Sequence, residues 1–525
     1  MTKIQAYDST LRDGAQAQGI SYSIEDKLKI VQLLDQLGVS YIEAGNPGSN
    51  PKDMEFFVRV AALELKNAKI IAFGSTRKVN VKVEEDDNLL SLLKAGVAAI
   101  CIFGKSWDYQ VSHILSTSLT ENLSMIGDTV GFLKRHHKEV VFDAEHFFDG
   151  YQSNPDYALQ TLQAATDAGA DHVCLCDTNG GTFPAEIYAI TKLVASRTKV
   201  PVGIHCHNDG GMAVANSVMA VQAGATQVQG TINGIGERCG NANLCAILPN
   251  LQLKLGLDCI PTAGMERLTT VARIVSEIAN IPFNEKAAYV GSDAFAHKGG
   301  MHVDAVNKNP KSYEHIDPER VGNSRRILMS EVAGRSTVLA KIKEIDPTLT
   351  KDSPLTHKII NRLKELEYEG YQFETAESSF ELVVRKILGK YQPIFELKDF
   401  KVIVNAPTVN GVNSFAMIKI RVGDQEEITA AEGDGPVHAL DNAVRKALER
   451  FYPLIREIKL TDYKVRVLDS DHASAAKVRV LIESTDHREK WTTIGVSTDI
   501  IDASWRALVD SIEYKLLRQQ SIESA

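Results

Sequence analysis

The chain has 525 residues, 44% hydrophobic and 24% charged, an ordinary globular composition on a chain too long for one hydrophobic core, so two or three domains are expected. A net charge of -9 argues against a nucleic-acid partner, which would need a basic surface, and leaves anionic small molecules open because a site needs only a local field. Neither an apolar signal core near Met1 nor a run of about 18 apolar residues occurs, which predicts a cytoplasmic protein without a membrane partner.

From the start to about residue 257, short apolar runs alternate with longer helical patterns. The predicted strands are Ile4 to Tyr7, Tyr41 to Ala44, Lys69 to Phe73, Ala98 to Phe103, Glu139 to Phe142, His172 to Cys176, Val202 to Ile204 and Gln227 to Ile232. Amphipathic stretches such as Ile24 to Leu37, Tyr157 to Ala168 and Pro184 to Ala195 separate them, and Gly38 and Gly169 are placed as helix stops. So regular a series of β-then-α units predicts a closed parallel TIM (β/α)8 barrel over 1–257 rather than an open doubly wound sheet. A mainly helical connector is expected over 258–390, with the charged loop Ala296-His-Lys-Gly-Gly-Met-His302 and then Tyr313 able to fold over a barrel mouth. From 391 the runs Phe400 to Val404 and Phe415 to Val422 precede a helical stretch, Val437 to Phe451. Tyr463 to Leu468, Lys477 to Ile482 and Trp491 to Val496, then Ile501 to Leu517, repeat the pattern about 61 residues on, predicting an α+β domain of two βββα units over 391–525. All seven cysteines fall in the first half, an odd number ill suited to a disulfide framework, and Cys174-x-Cys176 reads as core or pocket lining.

Barrel active sites are built from the C-terminal ends of the strands. In Pro201-Val-Gly-Ile-His-Cys-His-Asn-Asp209 the alternation of a strand puts His205 and His207 on one face, roughly 6 to 7 Å apart, which suits two ligands on one ion. Asp13 follows strand one and Asn241 follows strand eight. Strands one, eight and seven adjoin in a closed barrel, so Asp13, His205, His207 and Asn241 can converge. A nitrogen and oxygen set without thiolate favours Mn²⁺, Mg²⁺, Co²⁺ or Zn²⁺, with zinc ranked lower because so oxygen-rich a set leaves room for water and a chelating 2-oxo acid. An ion held there would polarise the keto oxygen, and Arg12 could share the charge developing on it or serve only as an ion-pair partner. Thr178 and Gln16 could hold a substrate carboxylate or act as strand-end hydrogen-bonders; Glu145 could carry a proton or form a salt bridge. The segment Gly234-Ile-Gly-Glu-Arg-Cys-Gly240 has the wrong glycine spacing for dinucleotide binding, and its expected job is to bend the backbone so that Asn241 reaches the ion.

Thr10-Leu-Arg-Asp-Gly14, His205-Cys-His-Asn208 and Gly236-Glu-Arg-Cys-Gly-Asn241 together resemble the metal-dependent acyl-CoA condensing enzymes, namely isopropylmalate, homocitrate and citramalate synthases, over nearly the whole chain. Within that family Asp143-Ala-Glu-His-Phe-Phe-Asp-Gly150, Phe103-Gly-Lys-Ser-Trp107, Gly45-Asn-Pro-Gly-Ser-Asn-Pro-Lys52 and Gly299-Gly-Met-His302 are most similar to the long citramalate synthases. The resemblance implies condensation of acetyl-CoA with pyruvate and thioester hydrolysis to (R)-citramalate and CoA. It implies that Asp13, His205, His207 and Asn241 are the metal ligands, with Arg12 on the keto oxygen and Glu145 in the catalytic set. His302 and Tyr313 match connector residues that the family brings over the barrel mouth from the other subunit to help enolise acetyl-CoA. The resemblance also implies a homodimer or higher homo-oligomer whose C-terminal domain binds an amino-acid effector, expected to be isoleucine. The main rival is isopropylmalate synthase, which takes 2-oxoisovalerate; Phe103 could narrow the pocket in favour of pyruvate. Cleavage of the hydroxymethylglutaryl-CoA lyase type fits poorly with a C-terminal domain, and a non-catalytic amino-acid sensor fits poorly with a full set of ligands.

Overall fold

The computed structural model describes residues 3–49, 51–328, 335–409, 412–468, 476–486 and 489–523. The chain divides into two compact units, one of residues 1–296 with 314–326 and the other of 297–313 with 327–525.

The first unit is a closed parallel barrel of β1 (Gln5–Asp8), β2 (Tyr41–Glu43), β3 (Lys69–Ser75), β4 (Ala99–Lys105), β5 (Glu139–Glu145), β6 (His172–Asp177), β7 (Val202–Cys206) and β8 (Gln227–Gly230), joined in that order with β8 pairing back onto β1. Local signals set the helices between them. The helix Ile24–Leu37 starts on a capping box between Ser23 and Asp26 and stops where Gly38 turns left-handed at φ 94°. Side chains alternate along each strand. Ala6, Ile42, Ala72, Ile100, Val140, Val173, Ile204 and Val228 pack outward under the helices, while Tyr7, Tyr41, Ile71, Ala99, Cys101 and Val141 fill the barrel interior. Two steps further along, the same inward faces carry Glu43, Asp143, His205 and Gln229, so the apolar plug gives way to a buried polar layer.

Strand ends differ from the sequence expectation, most consequentially in β5 and β8. Pairing of β4 with β5 continues past the apolar run, through Phe103↔Asp143, Gly104↔Ala144 and Lys105↔Glu145, so Asp143 lies within a strand and not after it. The last strand ends early at Gly230 because the returning segment closes in: a Cβ there would meet the Ala242 carbonyl at 2.4 Å.

The second unit carries helices Gly300–Lys308, Arg335–Ile345, Pro354–Glu369 and Glu377–Ile387, then two antiparallel three-stranded sheets, each followed by a helix. Strands Glu396–Val409, Val412–Val422 and Gln425–Gly433 precede the helix Pro436–Leu448; Lys459–Val467, Val478–Thr485 and Lys490–Ser497 precede Ile500–Glu523. Glycines at matching positions let each helix approach its sheet, since a Cβ on Gly433 would meet the Ala439 amide at 2.4 Å and one on Gly495 the Ala503 carbonyl at 2.0 Å. Gln425–Gly433 was not among the predicted strands: its sequence QEEITAAEG is too polar to stand out, and it is ordered by full pairing with Val412–Val422. All seven cysteines are free.

Candidate active site

His205, near the end of β7, and His207, one residue beyond it, present their Nε2 atoms to each other at 3.4 Å. Asp13 reaches the same point from the turn after β1, its Oδ2 lying 3.2 Å from His205 Nε2 and 3.8 Å from His207 Nε2. All three side chains are buried. Burial alone would raise the Asp13 carboxyl, but the Arg12 charge and the His205 hydrogen bond hold it far below the carboxylate range. Burial and then the charge of His205 push His207 down to about 4, so its imidazole stays neutral and keeps a lone pair near neutral pH.

Asn241 is brought beside His207 by backbone pairing, with Asn208 N–H donating to the Gly240 carbonyl at 2.9 Å and Ala242 N–H to that of Cys206 at 2.9 Å. The glycine-rich approach is sterically required. A Cβ on Gly240, at φ 86°, would meet the Gly234 carbonyl at 2.0 Å, and one on Gly236 would fall 2.6 Å from Asn241 Oδ1. Both polar atoms of the buried Asn241 amide lack a hydrogen-bond partner among the described residues. A carboxylate, two facing imidazole nitrogens and an orphaned amide oxygen form a donor set fitted to a divalent cation with open positions.

Arg12 lies beside this cluster. Its Nη1 is 3.2 Å from Asp13 Oδ2, its Nε donates to Glu43 Oε2 at 2.6 Å, and its guanidinium sits 3.8 Å from the Phe73 ring centroid. Glu43 is fully buried and also accepts hydrogen bonds from the hydroxyls of Tyr7, at 2.7 Å, and Ser9. Phe103 stacks on Phe73 with ring centroids 5.2 Å apart. Glu145, at the end of β5, pairs with Lys105 Nζ at 2.5 Å. Thr178 Oγ1 accepts from the His146 amide at 2.8 Å, which leaves its own hydroxyl proton to donate. Gln16 is exposed on the turn Gly14–Gln16. In the second unit the rings of His302 and Tyr313 stack at 4.1 Å.

The structure thus brings Asp13, His205 and His207 together, with Arg12 against Asp13 and Asn241 beside His207. Glu43, Phe73 and Lys105 were missed from the sequence. Glu43 carried the one available signal, an acid closing an otherwise apolar strand run.

Residues 3–275 match the HMGL-like family model, 289–370 the homocitrate synthase post-HMGL domain-like model, and 374–516 the LeuA allosteric (dimerisation) domain. The chain is 54% identical over 520 residues to the (R)-citramalate synthase of Aquifex aeolicus, covering 99% of this chain and 98% of that one. It is 51% identical to the (R)-citramalate synthase of Geobacter sulfurreducens over the full length of both. Identity to the probable 2-isopropylmalate synthase of Methanopyrus kandleri is 33%, over 97% of this chain and 98% of that one.

Proposed function

Because the chain belongs to the (R)-citramalate synthase family of condensing acyltransferases, we propose that it joins the acetyl group of acetyl-CoA to the keto carbon of pyruvate and hydrolyses the thioester, releasing (R)-citramalate and CoA. The observation that carries this reading is full-length identity of 43 to 54% to five (R)-citramalate synthases.

Asp13, His205, His207 and Asn241 would hold a divalent ion, Mn²⁺ or Mg²⁺ in preference to Co²⁺ or Zn²⁺. Such an ion would supply Lewis-acid polarisation of the pyruvate carbonyl. The protein supplies the rest. Arg12, clamped by Glu43 and the Phe73 face, donates toward the keto oxygen as negative charge builds there during attack. The free hydroxyl proton of Thr178 serves the pyruvate carboxylate; Gln16, on an exposed turn, is the weaker candidate for that task. Phe103, stacked on Phe73, would narrow the space beside the keto carbon in favour of pyruvate. For the nucleophile, a proton must leave the acetyl methyl so that the enolate carbon can attack. We assign that removal to His302, with Tyr313 stacked on it to orient the imidazole or a water. Glu145, paired with Lys105, takes a proton from the water that cleaves the thioester, and CoA leaves as the thiol.

Similarity to the LeuA allosteric (dimerisation) domain and the paired βββα units support a homodimer that binds an amino acid there, with isoleucine as the inhibitor of a route leading to it. No helix among the described residues is long and apolar enough to cross a membrane.

The test supplies acetyl-CoA and [2-¹³C]pyruvate with Mn²⁺ and identifies the product by chiral chromatography and ¹³C NMR. The expected product is (R)-citramalate labelled at C2, with one CoA thiol per molecule. Its absence while 2-oxoisovalerate is converted to 2-isopropylmalate would overturn the reading.

A further inference from the structure

Gln229 belongs to none of the groups assigned above, yet it occupies a constrained position in the buried polar layer. It faces His205 in the register of β7 and β8, and its side chain is fully buried. Its Oε1 lies 2.9 Å from His205 Nδ1, and its Nε2 donates to Asp143 Oδ1 at 2.9 Å. Asp143 stands on β5, separated from β8 by two strands, so the amide spans the barrel interior.

The order of donors and acceptors follows from chemistry. A carboxylate oxygen only accepts, so the Gln229 amide nitrogen faces Asp143 and its carbonyl faces His205. An amide carbonyl also only accepts, so His205 Nδ1 must carry the ring proton. Nε2 is then the ring nitrogen aimed at Asp13, whose Oδ2 lies 3.2 Å away, and at the Nε2 of His207. The second imidazole has no such support, because His207 Nδ1 lacks a hydrogen-bond partner among the described residues. Reversing the amide would set its N–H₂ against His205 Nδ1 and its carbonyl against Asp143, leaving two acceptors face to face in a buried site.

We infer that Gln229, locked by Asp143, is a positioning residue that holds the ring proton on His205 Nδ1 and so reserves Nε2 as the nitrogen that ligates a metal ion. Its consequence for affinity rests on the metal reading of the Asp13, His205 and His207 cluster; the tautomer assignment does not. Removing an outer partner of a ligating histidine lowers metal affinity by about 10- to 100-fold.

The test reads two quantities on the full-length protein: the His205 tautomer in metal-free ¹⁵N-histidine-labelled protein by NMR, and Mn²⁺ affinity by EPR titration. Wild type should show Nδ1–H. Gln229→Leu should mix the tautomers and weaken Mn²⁺ binding by about 10- to 100-fold, with the thermal midpoint reporting whether the variant is folded. Asp143→Leu, which frees the amide to turn, should have the same effect, and Asp143→Asn, which keeps an acceptor opposite Gln229 Nε2, should restore affinity. A wild-type His205 whose Nδ1 bears no proton, or equal loss in Asp143→Asn and Asp143→Leu, would overturn the relay. Should wild type bind no Mn²⁺ yet show a Gln229-dependent Nδ1–H tautomer, the relay stands and the metal reading falls.

Discussion

Glu43→Gln is the most informative perturbation of the proposed machinery, because three donors converge on that one buried carboxylate: Tyr7 OH, Ser9 OH and Arg12 Nε. The amide keeps the shape but replaces one acceptor oxygen with a donor. Its best placement turns the nitrogen toward Tyr7, whose hydroxyl can rotate to accept, and leaves a neutral carbonyl for Ser9 and Arg12. Replacing a charge-assisted bond by a neutral one loses about 1 to 2 kcal/mol. Arg12 also loses its nearest counter-charge, with Asp13 at 3.2 Å as the remaining anion, so a total destabilisation of about 2 to 3 kcal/mol is expected. The guanidinium should swing toward Asp13 and away from the keto oxygen. Losing one aligned donor to a developing oxyanion slows turnover by about 10²- to 10³-fold. Thiol release at saturating pyruvate gives kcat, and denaturant unfolding gives stability. A variant within threefold of wild-type kcat, with an unchanged midpoint, refutes the role given to Arg12 and its clamp.

Phe103→Ala should open space beside the keto carbon and raise turnover of 2-oxoisovalerate relative to pyruvate by about tenfold, read as a ratio of kcat/KM values; an unchanged ratio removes Phe103 from substrate selection. Lys27 is buried between Asp53, at 2.7 Å, and the Ala44 carbonyl, at 2.9 Å, so Lys27→Met, which breaks this buried ion pair, should destabilise by about 3 to 5 kcal/mol in denaturant unfolding, with loss under 1 kcal/mol as the contrary result. Burial pushes the Asp8 carboxyl up to about 7 against the two hydrogen bonds from Thr10. Folded protein therefore holds a proton that the unfolded chain has released, and stability falls as pH rises from about 4 to 7. Asp8→Asn should flatten that fall, so a pH-independent difference between the two proteins would contradict the assignment. Chelation should abolish turnover and Mn²⁺ should restore it; activity that survives exhaustive chelation argues against the ion.

The barrel was legible because parallel strands buried on both faces read as apolar runs, with helix stops such as Gly38 marking the intervals. The histidine pair was legible because a period of two puts alternate residues on one face. What escaped was chemistry made by register between strands distant in sequence. Glu43 takes its role from the donors that β1 and the turn after it bring to it, and Gln229 from facing His205 across β7 and β8 and Asp143 across the interior. Phe73 reads in sequence as the end of an apolar run, and only the fold sets the Arg12 guanidinium on its face. The strand Gln425–Gly433 escaped for a related reason, since its alternation is written in charged and small residues and only its neighbour orders it.

The most direct test of the central claim is the ratio of kcat/KM for pyruvate to that for 2-oxoisovalerate, measured with acetyl-CoA and Mn²⁺ by CoA thiol release. The account predicts that pyruvate is preferred by at least about a hundredfold, the discrimination that a pocket closed to branched side chains can supply. Equal use of the two acids, or preference for 2-oxoisovalerate, would contradict it.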